Sequence, residues 1–466
     1  MMLMKEKTIP ILVFPLVFFG AIISFLSPIK GMVFYLLIAV AIWVYVKPLL
    51  GFYLVFLMSP LENVGFLYNS PLRTIPERYP AIIFPVILTV AVLLLRKAVE
   101  GNPKDSRPFS NTMVLLLLIF GWAVISYLWT IDTYHGINAI YNLGLGLAVY
   151  FLTLSFIKDK ETLEKMFKIL AFWGFILAIT LFLSNKVDIK NDQLFSTELS
   201  KDLIFRINIA TNERRPGGFT MPQRASNVLG FFFFMGIALY PKVRRHIKIL
   251  LFLLGLFFIM DILSTNSKGG IGAFLLGMLS FIFFYPGVRK KAISLTSLFL
   301  FCVVSIFIFN LIVFHSDRLI SSAEQSELSL SYRLGFWKEG FDMMSNRWIG
   351  AGAGGFDSIV DPWPGAHSFY FSILFDLGII GFAMFLIFIT YILYRLRKSI
   401  INTVDEDMKL YLYCMVGALM VFLVHGLVEM DYQMPYFWML IGTVMAVINI
   451  SDKRQQLTMI HEGQGI

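Results

Sequence analysis

The sequence predicts an all-α fold, a polytopic bundle of membrane-spanning helices, and three observations carry that prediction. The 466 residues are 58% hydrophobic and only 15% charged, with a mean hydropathy of +0.75, a balance outside the range of soluble globular domains. Apolar windows of roughly the 20 residues that a membrane helix needs recur along the whole chain. Lys and Arg gather on alternate connections, as the positive-inside rule requires of short cytoplasmic loops.

In chain order the windows are 10–28, 80–95, 112–130, 137–157, 165–184, 225–240, 247–263, 270–286, 293–314, 368–394, 410–428 and 434–450, with weaker segments at 32–47 and 49–60. The count is therefore 12 helices without the weak pair and 14 with it. Both termini are then cytoplasmic, and Lys5, Arg96, Lys158, Arg244, Lys290, Arg397 and Lys453, with their basic neighbours, fall on one side. Keeping only one weak segment breaks this parity, so the pair stands or falls together.

The net charge of +9 is accordingly a topology signal that also favours anionic membrane lipid, and no nucleic-acid partner is indicated. The first apolar segment lacks a small-residue cleavage site and runs on into further spans, which predicts a retained helix instead of a removed signal peptide. Cys302 and Cys414 both lie in predicted spans and read as small buried apolar groups. No repeat period and no Pro-rich or Ser-rich linker divides the chain, so residues 1–466 read as one membrane domain.

Two long hydrophilic segments, 185–224 and 315–367, face the extracytoplasmic side, and chemistry is expected there. Arg214 and Arg215 precede the turn signal Pro216-Gly217-Gly218, with the next span opening near Arg224. Such a pair fits a bidentate grip on phosphate and equally fits interfacial anchoring. In the second loop Leu330, Leu334, Trp337, Phe341 and Met344 recur at helical spacing, with Arg333 at the edge of the stripe, where it faces either a cleft or solvent. Gly350, Gly352, Gly354 and Gly355 then permit tight turns and close approach of backbone to a ligand.

His367 stands immediately before a span, at the depth where membrane meets water, and histidine is suited to accepting a proton near neutral pH. Lys268 is either a second cation for a diphosphate or a helix-end lysine. Asp376, and His425 with Glu429 and Asp431, are costly in lipid and must face the bundle interior or water. They are candidates to orient His367 or to bind an acceptor sugar, and for Asp376 and Asp261 pairing with another helix is the simpler expectation. No Asp-x-Asp pair lies on an extracytoplasmic loop and no His or Cys cluster has metal-ligand spacing, so neither a metal nor a cofactor is indicated.

In order, Arg215 to Phe219, Thr265 to Gly270, Arg333 with Trp337, Gly352 with Gly354 and Phe356, and His367 with Gly378 and Gly381 resemble the O-antigen polymerase and ligase superfamily. The resemblance covers roughly the second half of the chain, with a catalytic region over 205–450 and a large extracytoplasmic loop at 315–367. Lys268 stands where the family often has arginine, and Ser368 where asparagine is common.

The resemblance implies a metal-independent inverting glycosyltransferase of GT-C type in a bacterial inner membrane, its site facing the periplasm or cell exterior. Its donor would be a glycan on undecaprenyl diphosphate, and its acceptor a second glycan or a lipid A core. By motif position Arg215 and Arg333 would bind the diphosphate and His367 would help deprotonate the acceptor hydroxyl. Arg214, Lys268, Arg224, His425 and Glu429 are the candidate substrate-binding residues. Polymerisation of O-antigen, capsule or exopolysaccharide repeat units is the leading expectation, with a chain-length regulator as a possible partner and ligation to an acceptor as the alternative. From another class, a lipid-linked oligosaccharide flippase would also need many spans and arginines, but would place its charge near the membrane midplane.

Overall fold

The computed structural model describes residues 39–58, 64–65, 85–94, 111–186, 206–207, 211–212, 215–216, 222–265, 267–285, 332–359 and 366–463. The expected spans at 10–28 and 293–314, and Cys302, lie outside them. The described residues fall into two compact units. The smaller joins α1 (39–46) and most of α2 (Pro48–Met58) to α3 (Pro85–Leu94). Its core is Val44, Phe52 and Val55, and Gly51 leaves room for Val44 and Thr89.

The larger unit runs in order through α4 (Asn111–Ser126), a 3-10 turn (Tyr127–Trp129), α5 (Thr133–Phe156), α6 (Lys160–Lys186), α7 (Pro222–Leu239), α8 (Arg245–Ser264), α9 (Lys268–Phe284), α10 (332–346), α11 (Phe369–Asn402), α12 (Glu406–His425) and α13 (Pro435–Gly463). Extended structure among the described residues is limited to two antiparallel two-residue pairs. Val64–Gly65 (β1) pairs with Arg206–Ile207 (β2), and Thr211–Asn212 (β3) with Arg215–Pro216 (β4).

Short polar residues start these helices. Asp132 caps α5 by accepting from Tyr134 N at 2.9 Å and His135 N at 3.0 Å, and Asp405 caps α12 by accepting from Asp407 N and Met408 N. Six of the described helices are long and apolar enough to cross a membrane: α4 with its 3-10 turn, α5, α6, α8, α11 and α12. Exposed Phe172, Phe252, Leu253, Phe283 and Ile387 present the apolar outer surface that a bilayer covers. The chain is an all-α, multi-pass membrane protein.

Small residues let the helices close on one another, because packing and not hydrophobic transfer drives association within lipid. A Cβ on Gly277 of α9 would lie 2.8 Å from Gly417 O of α12, and one on Gly230 of α7 would lie 3.2 Å from Val421 of α12. Gly146 of α5 accepts the Trp438 ring of α13 in the same way.

The two ends of this bundle differ. At one, Lys242 after α7 reaches Glu164 of α6 at 2.6 Å and Asp407 of α12 at 2.9 Å, while Lys160 reaches Asp407 at 2.8 Å. Arg395 of α11 reaches Asp452 of α13 there at 2.9 Å. At the other end α7, α9 and α11 begin and α12 ends. That end holds the expected site.

Candidate functional site

α11 starts against the turn that follows α12. Phe369 N donates to Gly426 O at 2.8 Å and Glu429 O at 3.0 Å, and the Ser368 hydroxyl donates to Gly426 O at 3.3 Å. The Phe369 ring occupies the place of a Cβ at residue 426, so glycine is required for this contact. His367, one residue earlier, is thereby pinned beside the 426–429 turn, with a left-handed φ of 48°. That conformation is uncommon for any residue with a side chain.

The His367 imidazole is half-buried and stacks on Phe336 of α10, ring centroids 6.4 Å apart and planes inclined by 23°. Burial is the main force on its proton affinity and pushes its pKa below the usual histidine value, Glu429 pulls it up, and Arg333 and Arg224 push it further down. The net direction is downward. The ring is therefore neutral near neutral pH, and a neutral imidazole has a nitrogen lone pair to receive a proton.

The cationic side of the site is built from helix starts. Arg224 lies in the first turn of α7 and is only 4% exposed, while Lys268 opens α9 and is exposed. Ser267 caps α9 by accepting from Gly270 N at 3.2 Å. Gly270 gives way to Ser226 of α7, and Gly269 to Val428 just beyond α12 and to His425 at its end. The Gly-Gly pair thus draws the starts of α7 and α9 onto the end of α12. Three helices opening at one place add the partial positive charge of their first N–H groups to that of the arginines.

Arg333 rides on α10, which packs flat on α11. Trp337 Nε1 donates to Ala366 O at 2.8 Å, the Trp337 and Phe371 rings are 4.8 Å apart, and Phe341 meets Phe375 edge-on at 5.4 Å. At Gly340 a Cβ would run into the Phe375 ring. Phe336, Trp337, Met343 and Met344 cover a buried cluster of Ala351, Phe356, Ala366 and Phe375. The packed face is therefore rotated from the stripe read in the sequence: Leu334 is 52% exposed, and Phe336 and Met343 were missed because the centre of the face is a glycine. Leu330 lies outside the described residues.

Beyond α10 the glycine loop does not open toward a ligand. Gly350, Gly352 and Gly354 take φ values of 83°, 87° and 64°, and the space that they free is filled by backbone of α11, of the turn at Thr130 and of α5. α11 is interrupted at Gly378 (φ 68°, ψ −172°). The carbonyls released there accept from the loop and from α4: Phe375 O from Ala351 N at 2.8 Å, Asp376 O from Gly352 N at 2.9 Å, and Leu377 O from Trp122 Nε1 at 2.9 Å. Ile379 N in turn donates to Trp348 O at 3.1 Å.

Asp376, buried at the same level, accepts from Phe356 N at 3.0 Å and from Gly354 N. Its partner is thus the loop and not another helix, which corrects the sequence expectation. Asp261 is buried in α8, and its Oδ2 has no hydrogen-bond partner among the described residues.

The structure brings His367, Arg333, Arg224 and Glu429 within electrostatic reach of one another, with His425 buried behind Gly269. Lys268 stands at the edge. Arg214 lies outside the described residues, as do the side chains of Arg215 and Asp431. Only the backbone of Arg215 is described, in β4 beside α6. The interruption at Gly378 was not anticipated, although a Gly-x-x-Gly pair following a carboxylate inside a span is its signal. Among the described residues no group of three or more His, Cys, Asp or Glu side chains is placed to hold a metal ion.

Residues 249–386 match a family model described as O-antigen ligase, over less than a third of the chain. The matched segment runs from α8 through α10 into the first part of α11 and contains Lys268, Arg333 and His367. No curated protein matches the chain. Over that segment, from α8 to the first part of α11, the chain is similar to the O-antigen ligase family.

Proposed function

We propose that the protein is a metal-independent inverting glycosyltransferase that moves a glycan from undecaprenyl diphosphate to a sugar hydroxyl. The observation that carries this reading is the pairing of a neutral, half-buried His367 with Arg333 and the buried Arg224 at the shared start of three helices. In this reaction the acceptor oxygen attacks the anomeric carbon from the side opposite the diphosphate. The carbon–oxygen bond to the diphosphate breaks with its electron pair leaving on phosphate oxygen, and His367 takes the hydroxyl proton. Arg333 and Arg224 meet the charge that grows on the leaving group, and fixed cations in a water-poor setting do so without reorganising. Arg215 joins them on the ground of its motif, and Lys268 at the rim adds a further cation. Glu429, close enough to raise the proton affinity of His367, and His425 support the acceptor side.

The setting is the inner membrane of a bacterium, with the site facing the periplasm or cell exterior. Polymerisation of lipid-linked repeat units is the leading form of the reaction, and a chain-length regulator is a natural partner for it. Ligation to lipid A core is favoured by one specific observation, the description of the matched family as O-antigen ligase. A flippase is disfavoured, since the charge lies at a bundle end and not at midplane.

The test uses full-length protein in nanodiscs with undecaprenyl-diphosphate-linked repeat units and chelator. A ladder of longer lipid-linked glycans establishes a polymerase. Transfer only after lipid A core is added establishes a ligase. Absence of both overturns the reading.

A further inference from the structure

We propose that Asp376 is a positioning residue of this site: together with the interruption of α11 at Gly378 it clamps the glycine loop 350–356, and so sets Arg333 against His367. The inference rests on the roles given above to those two residues.

Arg333 and His367 share a scaffold but not an element. His367 is fixed by the start of α11, whereas Arg333 sits on α10, whose outer side is open, with Tyr332 and Leu334 exposed. α10 is held near its start by the Trp337 hydrogen bond to Ala366 O, next to His367. Its second half packs through Gly340, Phe341, Met343 and Met344 on Phe375 and the cluster beneath, of which Ala351 and Phe356 belong to the chain that follows. That chain closes a turn at Gly350, whose N–H donates to Arg347 O at 2.8 Å, and then docks edge-on into α11.

Three groups make the dock. The main-chain carbonyls of Phe375 and Asp376, freed because Gly378 ends the ladder, take the first loop N–H groups. The Asp376 carboxyl takes the last ones, Gly354 N and Phe356 N, which are buried and would otherwise lack an acceptor. On the far edge Ala353 N donates to Ser126 Oγ at 3.0 Å and Thr130 Oγ1 donates to Ala353 O at 3.0 Å. A carboxyl presents two oxygens and receives two donors at once, as few side chains of its size do. Removing it unpairs the loop at its downstream end and loosens Ala351 and Phe356, the loop's part of the cluster on which α10 rests, so that Arg333 is less sharply placed.

Donor and acceptor kinetics of glycan transfer, run beside hydrogen exchange of 350–356, test this on the full-length protein. Asp376→Ala is expected to lower kcat by about 10- to 100-fold, the scale of a small misplacement of reacting groups, with donor KM changed far less. It is also expected to speed exchange of 350–356. Asp376→Asn, whose amide oxygen carries two lone pairs and can accept from both Gly354 N and Phe356 N, is expected to restore kcat to within a few-fold and to slow exchange again. Where Asp376→Ala does not accumulate, Ser126→Ala loosens the far edge of the same loop and is expected to give the same pair of changes. A loosened loop with undiminished kcat overturns the proposal, and so does an Asn variant as impaired as the Ala variant. If the unaltered protein transfers no glycan, the function fails instead, while the exchange comparison still reads the clamp.

Discussion

Phe336 covers one face of His367, their ring centroids 6.4 Å apart. The imidazole is thus partly dried by an aromatic from a different helix, and burial is the largest influence on its proton affinity. The sign of the shift fixes a pH prediction. With a pKa below the usual 6.5, the proton-accepting form persists at pH values where an exposed histidine is already charged. The acidic limb of kcat/KM for transfer is expected below pH 6.5, and Phe336→Ala is expected to move it upward by admitting water. A limb at or above pH 6.5 in the unaltered protein would remove His367 from the role of base.

Arg333→Ala is expected to abolish transfer while leaving abundance and membrane insertion unchanged. Arg333→Lys keeps the charge but loses the planar fork that suits phosphate oxygens. A loss of about 10-fold or more in kcat/KM is expected for the lysine variant, consistent with one or more kcal/mol of charge-assisted hydrogen bonding. Steady-state kinetics with quantified protein checks both. Full activity in the lysine variant would mean that Arg333 acts as a point charge only.

At the opposite end Lys242 joins α6 to α12 by meeting Glu164 and Asp407 together. Lys160 also meets Asp407, and Tyr411 donates to Glu164 at 2.9 Å. These side chains are partly exposed, so each pair is screened. Lys242→Ala nevertheless leaves two carboxylates facing each other with one fewer cation, and is expected to cost about 1–2 kcal/mol. Thermal unfolding in detergent is expected to show a lowered Tm, largely restored in Lys242→Arg. An unchanged Tm would reduce this cluster to a solvated surface.

Gly277→Val places a branched side chain where Gly417 O and Val421 already stand. Overpacking of that kind costs about 1–3 kcal/mol. A lowered Tm with normal insertion is the expected result, and an unaffected Tm would show that α9 and α12 separate easily.

The helices were legible because membrane helices announce themselves by length and apolarity. α5, α6, α8 and α12 begin and end within about five residues of their predicted windows, whereas α11 runs on to Asn402 and α13 to Gly463. The extension of α11 escaped the hydropathy window because Arg395, Arg397 and Lys398 end its apolar run. They are still helical, and Arg395 reaches Asp452. Within the site, His367 and Arg333 stood out as polar residues beside apolar spans. The glycine loop was seen as a turn former, but its partner was not. A carbonyl freed inside a helix leaves no mark on composition, so the use of Gly378 emerges only when the loop is seen lying on it. The neighbours of His367 likewise come from α7, α10 and the turn after α12, separations that no local period reports.

His367 combines a left-handed backbone with the side chain assigned to proton transfer. Strain of that kind amounts to roughly 1 kcal/mol and persists only where surrounding contacts impose it. Glycine or asparagine would sit more easily at this position, so the most comfortable residue for folding and the useful residue for chemistry are different ones. Selection for heat resistance alone would drift toward replacing His367 and yield a sturdier but inert protein, and an assay for transfer is the counterweight that any such selection needs.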